Sequence, residues 1–187
     1  MHRRTLLAAA TPTDRPATRG MLELRVIKDS IARSRRTRAV VLESTSIDGL
    51  RRLMLSCSPH LVHLIAHGSE DGLVFEDEHG YAQIVAHEHL AAVLLAHHPP
   101  LEHAVFSACY STQLARMLAL GGVAAVGLRG RATAAAAVEF SRGLHDALGT
   151  KRSFEFAVGE GLRTVAVHGH ALSVELHVPQ VDHDQRR

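Results

Sequence analysis

The chain has 187 residues, of which 46% are apolar and 4% are aromatic, and its formal charge at pH 7 is +2. This apolar content excludes a disordered chain and suffices for the core of one ordinary domain. The small charge excess does not indicate a nucleic-acid-binding protein. The two cysteines, Cys57 and Cys109, are too few for a disulfide framework, which favours a reducing, cytoplasmic location. No apolar run approaches the roughly 18 residues of a membrane span.

Short apolar segments recur along the chain and alternate with longer amphipathic segments. Apolar runs of four to six residues are typical of strands that are buried on both faces of a sheet. In chain order, the pattern predicts strand 6–10, helix 21–33, strand 39–42, helix 47–56, strand 61–66, helix 88–96, strand 104–108, helix 113–120, strand 123–128 and helix 134–148. This alternation predicts a mainly parallel sheet with helices on both faces.

Two regions depart from the simple alternation. Residues 72–75 and 81–85, joined by an acidic turn, predict a small hairpin inserted after the third strand. Residues 153–167 favour a helix that Gly159 and Gly161 break. Residues 171–178 alternate between apolar and polar side chains, which predicts a half-buried edge strand. We therefore expect a single domain over residues 1–178, followed by a polar tail over residues 179–187.

Chemically useful residues follow the third and fourth predicted strands. His67 and Gly68 come directly after residues 61–66, and Cys109 comes directly after residues 104–108. Ligands bind beyond the carboxyl ends of parallel strands. If these two strands are neighbours, a nucleophilic thiol and an imidazole base lie in one crevice. A helix that starts near Ser111 would favour a thiolate, and the Gly68 N–H could hold an oxyanion.

The residues alone leave a second interpretation open. A single cysteine at the end of a strand is commonly a small buried apolar side chain, and a His-Gly pair is commonly a turn. Their joint placement makes thiol catalysis and a purely structural role comparably good interpretations.

Short motifs in this part of the chain resemble a known family. Residues 59–68, followed by residues 72–75, resemble the histidine segment of the CHAT branch of caspase-like cysteine peptidases, and residues 105–111 resemble the cysteine segment. Residues 10–14 and 126–128, together with Glu23, fit the same pattern, so that the resemblance spans roughly residues 5–165. It implies a three-layer α/β/α caspase-like sandwich and endopeptidase activity.

The resemblance also implies residue roles. His67 would be the general acid and base, Cys109 the nucleophile, and the N–H groups of Gly68 and Cys109 the oxyanion donors. Ser107 stands at a position that lines the specificity pocket in relatives. From the residues themselves, Arg129 and Arg131 after the fifth strand could accept an acidic substrate side chain in this pocket or simply face solvent.

Two departures from the family pattern concern this pocket. Ser107 stands where relatives carry a carboxylate, and Thr133 or Ala134 stands where relatives often carry an acidic residue. A buried cationic side chain needs a carboxylate partner. We therefore expect cleavage that does not require Arg or Lys before the scissile bond, with a small, apolar or acidic residue there instead. The alternative is that Glu76 or Asp77 of the acidic turn enters the pocket and restores a preference for a basic residue.

Two other features of the sequence invite a binding hypothesis. The chain contains 15 histidines, but their spacings give no recurring metal-ligand set, and we expect neither a metal nor a cofactor. The basic run of residues 33–38 is typical of a solvated helix end, with contact to a phosphate or an acidic partner as the alternative. No aromatic side chains lie between its cations to stack on bases.

The sequence therefore predicts a cysteine endopeptidase acting on a protein substrate. The resemblance suggests a regulated effector of bacterial defence or cell death that an activating protein switches on in trans, with dimerisation through residues 171–178. Two alternatives stay open. One is a catalytically silent caspase-like module that binds a partner protein, and the other is a thiol-dependent hydrolase of small acyl substrates.

Overall fold

The computed structural model describes residues 3–16, 20–34 and 37–180, which form alternating strands and helices. In chain order the elements are β1 (Arg3–Ala9), α1 (Gly20–Ser34), β2 (Thr37–Glu43), α2 (Ile47–Cys57), β3 (Leu61–Ile65), β4 (Gly68–Ser69), β5 (Gly72–Glu76), β6 (Ala82–Ala86), α3 (His87–Leu95), β7 (His103–Ser107), α4 (Thr112–Leu120), β8 (Ala124–Leu128), α5 (Ala134–Leu148), α6 (Phe154–Val167) and β9 (Val174–His177). All five predicted strands and five predicted helices of the alternating pattern are confirmed, with shifts at their ends. Of the predicted tail, residues 181–187 lie outside the described residues.

A six-stranded sheet in the order β2-β1-β3-β7-β8-β9 forms the centre of the protein. Every neighbouring pair from β2 to β8 is parallel, whereas β9 runs antiparallel to β8. The mainly parallel sheet is therefore confirmed. The predicted strand 171–178 is also confirmed at the edge of the sheet, but it is shorter than predicted.

Helices cover both faces of this sheet. On one face, α2, α3 and α4 bury Leu50, Leu90 and Leu114 in a cluster that includes Phe106 of β7. On the other face, α5 and α6 pack on β7 and β8, and α1 packs on β1. Burial of aliphatic side chains on both faces removes a large apolar area from water and stabilises the layers. The protein is thus the predicted three-layer α/β/α sandwich.

The predicted hairpin is larger than expected. β5 and β6 form it, but Gly68 and Ser69 add a third strand, β4, in a separate small sheet of order β4-β5-β6. The N–H of Val74 also donates to the His67 carbonyl over 2.9 Å. The insert therefore fixes the main chain directly after β3.

The prediction that glycines break the helix of residues 153–167 is wrong, because α6 is continuous from Phe154 to Val167. A side chain at residue 161 would overlap the ring of Phe140 in α5, and one at Gly143 of α5 would overlap Thr164 in α6. The glycines therefore allow α5 and α6 to approach closely. This packing outweighs the low helix propensity of glycine, which is about 1 kcal/mol per residue.

His103 begins β7 and packs under the start of α6. Its ring lies 4.5 Å from the ring of Phe154, measured between centroids. Burial, and to a smaller extent the nearby positive charge of Arg3, lowers the pKa of His103 from 6.5 to about 4, against an opposing effect of Glu155. The folded protein therefore disfavours the protonated ring more strongly than the unfolded chain does.

This difference predicts acid sensitivity. Because the unfolded chain binds the His103 proton more tightly, the stabilisation is present above about pH 6.5 and is lost as the pH falls towards 4. Between pH 7.5 and 5.0 we expect His103 to lower the free energy of unfolding by about 2 kcal/mol. Urea unfolding at both pH values should show this loss in the wild type and a smaller loss in His103→Asn. His89→Asn, on the exposed side of α3, is the matched control. An equal loss in His103→Asn and the wild type would contradict the prediction.

Candidate active site

The order of the strands creates a crevice at the carboxyl ends of the parallel strands. β1 and β3 are neighbours, and the connection that follows β1 leads to β2 on one side, whereas the connection that follows β3 leads to β7 on the other side. In open parallel sheets, such a switch point opens a crevice beyond the carboxyl ends of the strands. The segment after β1 and the segment after β3, which carries His67, meet there.

The register of the strands places His67 beside Cys109. β3 and β7 are parallel neighbours, and Ile65 is paired with Ser107. His67 and Cys109 therefore each stand two residues beyond a paired position. The condition that these two strands are neighbours is therefore met, and both side chains are partly exposed.

The His67 ring is held by a main-chain carbonyl from the loop after β1. Its Nε2 lies 2.9 Å from the oxygen of Pro16. A carbonyl oxygen only accepts, so Nε2 must carry the hydrogen, and the neutral ring then has its lone pair on Nδ1. This bond selects the tautomer in which Nδ1 is the base.

The insert supports the loop that carries Pro16. The N–H of Thr13 donates to the Gly80 carbonyl over 3.0 Å. The carboxylate of Asp14 accepts from the N–H of Ala82 over 2.8 Å. The three-stranded insert thus positions His67 from both sides: directly through Val74 and indirectly through this loop.

Cys109 sits at a tight turn between β7 and α4. The residue after it, Tyr110, has a φ of +57°, a conformation that side chains with a Cβ rarely adopt and that clusters at functional sites. The buried hydroxyl of Ser111 donates to the Ala108 carbonyl over 2.7 Å and accepts from the N–H of Leu128 over 2.9 Å. The turn that presents the thiol is therefore anchored to β8.

Gly68 lies directly against the Cys109 main chain. A methyl group on Gly68 would overlap the carbonyl oxygen of Cys109. Only glycine allows this approach, which brings the N–H groups of residues 68 and 109 into the same region of the crevice. In the described part of the chain, no hydrogen bond joins the Cys109 thiol to the His67 ring. In unliganded enzymes such bonds are often long and tighten when substrate binds.

A network of buried polar side chains lies beneath Cys109. The Glu23 carboxylate of α1 accepts from Ser107 over 2.5 Å and from Ser141 of α5 over 2.6 Å. His63 of β3 lies 3.0 Å from the Ser107 hydroxyl through Nε2 and 2.9 Å from Nε2 of His145 through Nδ1. All five side chains are buried.

Glu23 corrects one expectation from the sequence. The expected pocket contains no carboxylate near Ser107, but the structure places Glu23 there from a helix 84 residues earlier in the chain. Glu23 shares one face of α1 with the buried residue Ile27. A carboxylate on the buried side of a helix was the signal in the sequence that could have identified it.

The other two predicted pocket residues are exposed in the segment between β8 and α5. The guanidinium of Arg129, directly after β8, forms an ion pair with Glu175 of β9. Arg131 is exposed in the loop before α5, where the hydroxyl of Thr133 accepts from the N–H of Ala136 and caps the helix. Ser107 is therefore the one of the three that is buried beneath the cysteine turn.

The remaining sequence candidates lie outside this crevice. Cys57 ends α2, and burial raises the pKa of its thiol. Glu76 of the acidic turn accepts from the N–H of Thr11 over 2.8 Å. Within residues 3–16, 20–34 and 37–180, no group of three His, Cys, Asp or Glu side chains is placed to hold a metal ion. Across the same residues, no helix is long and apolar enough to cross a membrane.

No family model and no curated protein sequence matches the chain. Solved structures do match its fold. The Arg-specific cysteine proteinase gingipain R has a TM-score of 0.65 and 13% identity over 91% of this chain and 45% of that chain. The complex of the pro- and mature domains of a gingipain from Porphyromonas gingivalis gives 0.61 and 12% over 92% of this chain and 46% of that chain. An inactive zymogen protease from Parabacteroides distasonis gives 0.65 and 15% over 93% of this chain and 61% of that chain.

These matches concern the fold. The chain spans about half the length of the two gingipain chains and about three fifths of the zymogen. At these identities the likeness shows the fold alone. The protein therefore has a caspase-like fold.

Proposed function

We propose that the protein is a cysteine endopeptidase in which Cys109 is the nucleophile and His67 is the general acid and base. The observation that carries this proposal is the bond from His67 Nε2 to the Pro16 carbonyl. It leaves Nδ1 as the basic nitrogen on a ring that strand register places beside Cys109. A nucleophile beside a base that a third group orients is the arrangement that covalent catalysis requires.

The chemistry proceeds in two stages. Nδ1 of His67 takes the proton of the Cys109 thiol, and the thiolate sulfur attacks the carbonyl carbon of the scissile peptide bond. The resulting oxyanion accepts hydrogen bonds from the N–H groups of Gly68 and Cys109. The imidazolium then protonates the departing amine. In the second stage His67 takes a proton from water, the hydroxide attacks the thioester, and the carboxylate product leaves as the thiol is restored.

We further propose that the protein is of the CHAT type and acts as an effector of bacterial defence or cell death. The sequence motifs support this assignment. The same resemblance supports activation by a protein in trans. No described strand pairs with the outer edge of β9. This edge supports dimerisation or docking of a partner strand.

Labelling with thiol-reactive electrophiles tests the proposal. A peptidyl acyloxymethyl ketone should modify Cys109 selectively, because the reagent needs both an acyl-binding crevice and a reactive thiol. Cys57 should react slowly, because burial raises the pKa of its thiol. Intact mass and peptide mapping identify the modified residue in the wild type, Cys109→Ser and Cys57→Ser.

The outcomes separate the endopeptidase from its rival. Labelling that persists in Cys57→Ser and disappears in Cys109→Ser and His67→Ala supports catalysis. Equal reaction of both cysteines with the ketone and with iodoacetamide, with or without candidate partners, would instead favour the catalytically silent interaction module.

A panel of these ketones also tests the residue preference. Two serines already donate to the Glu23 carboxylate beneath the pocket, so it does not need a cation from the substrate. We therefore expect ketones with a small, apolar or acidic residue to label Cys109 at least as fast as those with Arg or Lys. Strong selection for Arg that is lost in Glu23→Gln would contradict this expectation.

A further inference from the structure

A second concave site lies at the amino ends of the parallel strands, at the opposite end of the strands from Cys109. A cavity of about 610 Å³ opens where β1, β3 and β7 begin and where α5 is followed by α6. A five-residue strand spans roughly 16 Å, so this amino-edge cavity is separate from the crevice at the carboxyl ends. Its volume is in the range of small-molecule sites, which is roughly 300–1,000 Å³.

The walls of the amino-edge cavity are strongly cationic. Arg3, Arg4, Lys151 and Arg152 line it, and Glu155 is the single carboxylate among the described residues that do so. Arg3 also forms an ion pair with Glu102, which lies outside this lining. Arg4 is oriented by two hydrogen bonds, from Nε and Nη2 to the Ser58 carbonyl, of 3.1 and 3.0 Å. Within the described residues, Lys151 forms no ion pair with a carboxylate.

Histidines in the wall report the sign of the local field. Burial lowers the pKa of His60, and the charges of Arg4 and Arg3 lower it further. Burial is also the largest cause of the low pKa of His103, to which Arg3 adds and which Glu155 opposes. The contributions of Arg3 and Arg4, unlike that of burial, come from positive charge that favours an added anion.

The first turn of α6 adds the positive end of a helix dipole to the same wall. Phe154 and Glu155 both line the cavity, and Ser153 caps this 14-residue helix. The pKa of Glu155 is lowered chiefly by its own main-chain N–H and then by the Ser153 hydroxyl. The helix end therefore already stabilises one negative group, as helix N-termini commonly do.

Apolar side chains complete the cavity. Leu148 is partly exposed beside the cations, and the largely buried side chains of Leu61 and Phe154 form the floor below it. An inorganic ion alone would leave this surface in contact with water, whereas a ligand that combines an anionic group with a flat apolar ring would cover both parts.

We propose that the amino-edge cavity binds a small organic molecule that carries a phosphoryl group on an apolar ring system. The phosphoryl oxygens accept from Arg4 and Lys151 and lie against the first turn of α6, and the ring packs on Leu148 and the floor of the cavity. This site does not depend on catalysis by Cys109, so its test uses binding rather than activity.

Isothermal titration of the full chain with adenosine 5′-monophosphate, adenosine and inorganic phosphate tests the proposal. The monophosphate is expected to bind saturably and at least about tenfold more tightly than either fragment. Lys151→Gln and Arg4→Gln should each weaken its binding at least about tenfold, since each removes a charge-assisted hydrogen bond. Lys151 is exposed, so its variant should fold even if the Arg4 variant does not.

Arg116→Gln, on α4 and outside the lining of this cavity, is the matched control and should bind as the wild type does. Absence of saturable binding by both the monophosphate and inorganic phosphate would overturn the site. Equal binding of inorganic phosphate and the monophosphate would overturn the ring-binding part. Equal weakening in Lys151→Gln and Arg116→Gln would overturn the location.

Discussion

Replacement of Cys109 by alanine is expected to reduce the rate of peptide-bond cleavage by a factor on the order of 10⁴ or more. The substitution removes the sulfur that forms the acyl-enzyme, and no second described thiol lies at the crevice, because Cys57 lies at the end of α2. The measurement is kcat/KM on a cleavable peptide or protein substrate, with unfolding in urea to verify the fold.

His67→Ala should have a comparable effect, because the thiol then lacks its base. The double variant should be little worse than either single one, since residues of one catalytic unit are not additive. Cys57→Ala is the matched control and should retain activity. Full activity in Cys109→Ala would refute the assignment of the nucleophile.

Glu23→Ala is expected to lower the free energy of unfolding by about 3–5 kcal/mol. The buried carboxylate accepts from Ser107 and Ser141 and lies 3.4 Å from the ring of His63. Removing it leaves these buried groups without their acceptor and opens a cavity between α1 and the sheet. Glu23→Gln keeps the volume and one acceptor oxygen, so its loss should be smaller.

Urea unfolding at pH 7.5 measures both variants. Asp29→Ala is the matched control, because Asp29 is an exposed acid of the same helix. The control should change stability by less than about 0.5 kcal/mol. If Glu23→Ala were as stable as Asp29→Ala, the network would contribute nothing to the fold.

The sheet could be predicted from sequence because strands buried on both faces form apolar runs of distinctive length. Their ends could not, since main-chain pairing continues past the apolar residues. β1 begins at Arg3, which is paired with Thr37, rather than at Leu6. β4 has only two residues, which is too short for an alternating side-chain pattern, so the local sequence does not predict it. α6 is continuous because it packs closely against α5, and this tertiary contact cannot be predicted from the low helix propensity of glycine.

The candidate site divides in the same way. The sequence places His67 and Cys109 directly after two buried strands, but it does not predict the order of the strands, and the structure shows that these two are neighbours. The contacts that fix their roles do not follow from the sequence either. The Pro16 carbonyl is a main-chain group 51 residues from His67, and Glu23 reaches Ser107 across 84 residues. No periodicity encodes contacts of this kind.

The buried network beneath Cys109 constrains how this sequence can change over evolutionary time. Glu23, Ser107, Ser141, His63 and His145 come from two helices and two strands, and each satisfies a polar group of another. A single replacement orphans its neighbours, whereas a concerted change to apolar side chains of matching volume does not. These five positions therefore behave as one inherited unit. The effects of substitutions at these positions on stability should therefore be strongly non-additive. A library that varies all five positions and is selected for folding should contain only compatible combinations.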